Sequence, residues 1–242
     1  MDILGKILAK QSDLRANKSI TVAFLGDSIT QGCFDCYYTR DNHIETVFEY
    51  QNAYSTRLRE LINVLYPKVQ INIINSGISG DTAEGGLERI ERDVLRFNPD
   101  LVVVSFGLND CACGLTEGVE NYGNNLRGIF NKIKESGAEC IYLTECVMND
   151  SVSPHLRDER LVEYAKRFMK IQKDGITDLY FEKGRQVAKD CEVKICDLYR
   201  VWKAMQKAGV EVTELFANKL NHPIREFHYY IAIKLLETML DL

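Results

Sequence analysis

The run Ile20-Thr21-Val22-Ala23-Phe24-Leu25 passes without a spacer into Gly26-Asp27-Ser28-Ile29-Thr30. Apolar and β-branched residues in an unbroken run suit a buried strand. A strand that ends in Gly-Asp-Ser presents a serine hydroxyl at its carboxyl end, where open α/β sheets place their chemistry. Two further runs end in the same way. Residues 69–75 lead into Ser76-Gly77-Ile78-Ser79-Gly80-Asp81-Thr82, and Leu101-Val102-Val103-Val104-Ser105-Phe106 leads into Gly107-Leu108-Asn109-Asp110. The last run is continuously apolar, as a central parallel strand covered on both faces must be. In a parallel sheet these three polar turns lie along one edge.

The intervening stretches have helical character. Residues 52–66, 82–97 and 117–136 read as helices, and Pro67, Pro99 and Gly137 mark the breaks after them. Residues 138–144 and 192–196 read as a fourth and a fifth strand. Helical periodicity covers 157–189 with a break near Asp174-Gly175, and 197–208 is another helix. Pro223 opens a final helix over 224–242, and residues 1–10 read as an amphipathic helix packed on the domain. Strands alternating with helices predict one α/β domain over 1–242, with a mostly parallel sheet between two helical layers. The polar, aromatic-rich passage 34–51 has no clean period and is expected to be a long loop at the mouth of the site, where specificity is commonly carried.

Composition narrows the function. The net charge of −5 argues against a nucleic-acid partner. No apolar run approaches membrane-spanning length, and the charged N-terminal stretch lacks a signal-type apolar core, so a cytoplasmic address is expected. The eight cysteines are then expected to be free thiols. Cys33-x-x-Cys36 and Cys111-x-Cys113 read as small apolar filler near a pocket rim rather than as metal or redox pairs.

A fourth polar turn, Asn218-Lys219-Leu220-Asn221-His222-Pro223, precedes the last helix. Ser28 is a candidate nucleophile and His222 a candidate base, while the Gly80 N–H and the Asn109 amide are candidate donors to an oxyanion. Acyl transfer needs that set: a hydroxyl, a base within hydrogen-bond reach, and fixed donors aimed at developing negative charge. Each motif alone also has a plain structural use. Gly-Asp-Ser and Asn109-Asp110 can be helix caps, His222 a loop histidine, and Asp27, Asp81 and Asp110 local turn-formers. His228 reads as a packing residue, and His43 and His155 as solvated ones.

Read together, the four stretches resemble the SGNH/GDSL hydrolases, a family of esterases and lipases with Ser, Gly, Asn and His in four sequence blocks. Gly-Asp-Ser28 resembles the first block, Gly80 in Ser-Gly-Asp-Thr the second, Gly-x-Asn109-Asp the third and His222-Pro the fourth. The resemblance runs from the first strand to the last helix. It implies a flavodoxin-like three-layer α/β/α sandwich with a five-stranded parallel sheet. It also implies a serine esterase that needs no metal or organic cofactor. Ser28 attacks an ester carbonyl, His222 takes the proton, and the N–H groups of Ser28 and Gly80 with the Asn109 amide hold the oxyanion. The substrate that the resemblance implies is a small-molecule or carbohydrate ester, an acetyl ester foremost. A lysophospholipase, an acyl-thioesterase and a non-catalytic ligand-binding domain on the same scaffold are the alternatives. One position departs from the family pattern, because Lys219 stands where an aspartate usually precedes the histidine. A Ser-His dyad, an imidazole oriented by Asn218 or a backbone carbonyl, and a carboxylate from elsewhere such as Glu214 are the three ways to fill that gap.

Overall fold

The computed structural model describes residues 2–242. Helix α1 (Ile3–Ser12) opens the chain, so Met1 of the expected first helix lies outside the described residues. There follow β1 (Ile20–Gly26), the single turn α2 (Ser28–Gln31), β2 (Cys33–Tyr38), β3 (Ile44–Phe48), α3 (Tyr54–Leu65) and β4 (Ile71–Gly77). The middle of the chain supplies α4 (Ala83–Asp93), β5 (Leu101–Ser105), the short α5 (Leu108–Cys111), α6 (Gly118–Glu135) and β6 (Glu139–Leu143). Helices α7 (Glu159–Lys173) and α8 (Ile176–Asp190), strand β7 (Lys194–Cys196), α9 (Leu198–Lys207) and α10 (Arg225–Leu240) complete it.

Five strands form one parallel sheet in the order β4-β1-β5-β6-β7. The order reverses at β1: the chain steps outward to β4 and then crosses back to β5 on the other side. Such a reversal opens a crevice beyond the carboxyl ends of the strands flanking it. Helices α1, α3 and α10 pack together as one layer, and α4, α6 and α8 as the other. Every residue of β5 is buried, which explains its unbroken apolar run, whereas β4 at the edge is only half-buried. Burying each valine of β5 contributes about 1.5–3 kcal/mol.

Register brings the polar turns level. Gly26 at the end of β1 pairs with both Gly77 of β4 and Ser105 of β5. The close approach at Gly77 needs a glycine, because a Cβ there would sit 2.2 Å from the Gln31 nitrogen and 2.7 Å from the Asp27 carbonyl oxygen. Arg89 of α4 then pins the edge. It is buried and donates to the carbonyl oxygens of Gly26 (3.0 Å) and Ser76 (2.6 Å) and to Asp81 Oδ2 (2.7 Å).

The expected long loop over 34–51 is instead largely an antiparallel hairpin of β2 and β3, closed by the Thr39 N–H donating to His43 O at 2.8 Å. The hairpin forms its own two-stranded sheet, and most of its residues are half-buried or exposed. Apolar and polar residues therefore need not alternate along it, and the period-2 signal is absent. Beside it lies a small core separate from the main one. Leu161 and Ala165 of α7 meet Leu220, with Cys36 and Tyr38 of the hairpin packed against them.

Candidate active site

Ser28 follows β1 as the first residue of α2, and Asp27 caps that turn by accepting the Ile29 N–H at 2.9 Å. Ser28 Oγ lies 3.0 Å from His222 Nε2, although the two residues are 194 positions apart in the chain. Both are buried. For Nε2 to accept the serine proton, the neutral imidazole must carry its own hydrogen on Nδ1. That Nδ1 has no protein partner among the described residues. Burial pushes the His222 pKa down from 6.5 to about 4.

The gap left by Lys219 is not filled by the residues expected to fill it. Glu214 accepts the Ser153 hydroxyl at 2.7 Å and pairs with Lys219 Nζ at 2.9 Å, and these partners hold its carboxyl below the usual range. It is therefore turned toward a cation rather than toward the imidazole. Asn218 shapes the loop instead of orienting the ring. Its Oδ1 accepts the backbone N–H groups of Leu220, Asn221 and His222, and its Nδ2 donates to Asn221 Oδ1 at 3.1 Å. No backbone carbonyl accepts from Nδ1 among the described residues.

The second and third blocks converge beside Ser28. The Ile78 N–H donates to Gly26 O at 3.0 Å and the Ser79 N–H to Gln31 Oε1 at 2.7 Å, which ties the loop after β4 to the serine turn. Gly80 follows with φ +80°, a conformation that favours glycine, and is exposed. Neither the Gly80 N–H nor the Ser28 N–H has a protein acceptor among the described residues. Asn109, on α5, spends both amide hydrogens, on Asp27 Oδ2 (3.0 Å) and on the Asp81 carbonyl (2.8 Å). A small polar cavity of about 160 Å³ opens next to it, lined by Thr82, Asp110, Asn121, Asn125 and Tyr180 among others.

Carboxyl groups crowd beneath this surface. Burial raises Asp27 to about 6 and Asp110 to about 7, and puts Glu145 well above the ordinary carboxylate range. Asp110 reaches across to accept the Ala83 N–H at 3.1 Å, so it joins α5 to α4 and is not purely a local turn-former. No sequence motif points to Glu145 as a site residue. The signal for it is a lone charge in the apolar stretch Ile141-Tyr142-Leu143-Thr144-Glu145-Cys146-Val147-Met148. His228 is buried, its Nδ1 accepting the Tyr54 N–H at 3.2 Å and its ring tilted against Phe34, while His43 and His155 are exposed. All eight cysteines are free thiols.

The profile of the GDSL-like Lipase/Acylhydrolase family matches residues 24–228. The chain belongs to this family. The matched span runs from β1 through the His222 loop, so it contains all four candidate positions. Among curated relatives of this GDSL-like chain, an acetylxylan esterase of Geobacillus stearothermophilus is 34% identical over 87 residues, 36% of this chain and 38% of the relative. An arylesterase of Vibrio mimicus is 36% identical over 73 residues, 30% of this chain and 36% of the relative. The matches thus span little more than a third of either relative. Among solved structures, an acetyl xylan esterase superposes with TM-score 0.65 at 22% identity, covering 90% of this chain and 98% of that one. A two-domain esterase active on acetylated mannans gives TM-score 0.67 at 19% identity, covering 98% of this chain and 52% of that one. At these identities the likeness is one of fold, and the shared fold is the three-layer α/β/α sandwich with a five-stranded parallel sheet. No helix of the described residues is long and apolar enough to cross a membrane.

Proposed function

We propose that this chain is a serine esterase that hydrolyses small or carbohydrate-linked esters, acetyl esters foremost. The observation that carries the reading is the 3.0 Å contact of Ser28 Oγ with His222 Nε2 at the carboxyl edge of the sheet. His222 accepts the hydroxyl proton as Oγ attacks the ester carbonyl, and returns it to the leaving alcohol. The free N–H groups of Ser28 and Gly80 receive the developing oxyanion, and the Asn109 amide joins them by giving up one present acceptor. Water then releases the acyl group from Ser28 by the same route in reverse. The base works as a dyad with the serine, since Nδ1 has no carboxylate. The choice of acetylated sugars is supported by a relative named an acetylxylan esterase and by a fold neighbour active on acetylated mannans.

The test is hydrolysis of p-nitrophenyl acetate, butyrate and octanoate by the wild type, Ser28→Ala and His222→Ala. Activity that falls with chain length, and falls by about a thousandfold or more in either variant, supports the reading. Equal rates in all three proteins overturn it. The unpartnered Nδ1 favours one other reading, a non-catalytic ligand-binding domain. Hydrolysis absent from the wild type, with saturable binding of an acetylated sugar, moves the assignment there.

A further inference from the structure

Glu145 stands two residues beyond β6 and is 2% exposed. Its Oε2 accepts the Leu108 N–H at 2.8 Å, and its Oε1 is buried without a donor. The neighbouring residue of α5, Asn109, donates to Asp27, so adjacent residues hold the two buried carboxyl groups side by side. Neither group belongs to an ion pair among the described residues. Two buried carboxylates cannot face each other without a cation or a proton between them. The donors show where such a proton belongs. Asp27 receives the Ile29 N–H on one oxygen and the Asn109 amide on the other, whereas Glu145 receives a single N–H. Donors favour the ionised form, so Asp27 is the carboxylate and Glu145 the acid.

We propose that Glu145 is a positioning residue of the esterase site, donating its own proton to Asp27 and through Asp27 setting how tightly the Asn109 amide is held. This role rests on the esterase reading above. Both Asn109 hydrogens are occupied, so an oxyanion must take one from Asp27 or from the Asp81 carbonyl. Asp27 can release its share, because the Ile29 N–H and the Glu145 hydroxyl remain as donors. Ionised Glu145 would remove one of these, tighten the grip of Asp27 on Asn109, and set a second negative charge beneath a developing third. Burial and the nearby Asp27 and Asp110 resist that ionisation. Tyr54, Tyr122 and Tyr142, with the thiols of Cys111 and Cys146, lie within range of the Glu145 charge, and burial raises all of their pKa values.

The experiment joins an infrared measurement to kinetics. The wild-type-minus-Glu145→Gln difference spectrum at neutral pH should contain the carbonyl band of a protonated carboxylic acid, over and above any contribution from Asp110 or Asp27. No such difference band overturns the proposal. Because this readout needs no turnover, it separates failure of the proton assignment from failure of the esterase reading, which appears as no hydrolysis by the wild type. In acetate-ester assays, Glu145→Ala should lower kcat by about a hundredfold with KM little changed, the scale of loss for a misplaced catalytic group. Glu145→Gln keeps a neutral donor for Asp27 and an acceptor for Leu108, so it should recover most of that loss. The wild type should show an alkaline decline in kcat, and Glu145→Gln should not. Glu145→Gln falling as far as Glu145→Ala, or keeping the wild-type alkaline decline, overturns the proposal. Should Glu145→Ala not fold, the infrared band and the wild-type and Glu145→Gln profiles decide alone.

Discussion

Asn218 Oδ1 accepts the backbone N–H of His222 at 2.9 Å, and the same oxygen accepts from Leu220 and Asn221. One buried side chain thus folds the loop that presents the imidazole. Asn218→Ala leaves three N–H groups without their acceptor and should cost about 1–3 kcal/mol of stability. Asn218→Asp keeps the acceptor and should retain most of it. Urea denaturation of both variants, with kcat measured below the transition, checks this. Equal stability of Asn218→Ala and wild type would dismiss the loop role.

Burial of His222 sets the acid limit. The imidazole must be neutral to accept the serine proton, and its folded pKa lies near 4, against 6.5 when exposed. Hydrolysis should therefore persist below the ordinary histidine range and be half lost near pH 4. The same shift acts on stability. The unfolded chain takes up the proton more readily, so the contribution of neutral His222 is full above 6.5 and declines as pH falls toward 4. A profile of kcat/KM against pH with a half-point near 6.5 would contradict the buried, unpartnered ring.

Gly80 and Gly77 should respond differently to alanine. At Gly80 a Cβ meets no atom within 4 Å, and only the positive φ is strained, by about 1–2 kcal/mol. Gly80→Ala should fold and lose activity as its N–H turns. At Gly77 the clash with Gln31 and Asp27 is steric and central, so Gly77→Ala should lower the melting temperature markedly. Melting curves and acetate-ester assays on the two variants separate the effects.

Arg89 holds the ends of β1 and β4 and the Asp81 loop at once. Arg89→Met leaves Asp81 without its cation and takes the arginine from the Ser76 and Gly26 carbonyls, of which Gly26 keeps the Ile78 N–H, and should cost about 3–5 kcal/mol. Guanidinium unfolding measures it. A loss below about 1 kcal/mol, the usual size for an exposed pair, would show that the arginine is not structural.

The strand ends were legible because parallel strands buried on both faces leave long apolar runs, and each run here stops at glycine and a polar residue. Ser28, Gly80, Asn109 and His222 follow from that pattern together with the family blocks. The partners of His222 were not legible. Whether Asn218 turns toward the ring or the loop backbone depends on the bend of a six-residue turn, and Glu214 is claimed by Lys219, a tertiary pairing. The hairpin of β2 and β3 is not legible because most of its side chains are exposed or half-buried, so strand pairing leaves no alternation to read. Glu145 is not legible because Leu108, which donates to it, is far away in sequence and no motif links them.

Ser28 and His222 do not rest on the same packing. Ser28 extends a strand of the main core, while the His222 loop is tied to both cores: Phe216, bridged to Pro223, sits in the main core, and Leu220 joins the small cluster with α7 and the hairpin. Heat or denaturant can loosen the smaller cluster while the sheet keeps its circular dichroism. Turnover should then disappear at a lower temperature than secondary structure, and cooling from between the two should restore it at once.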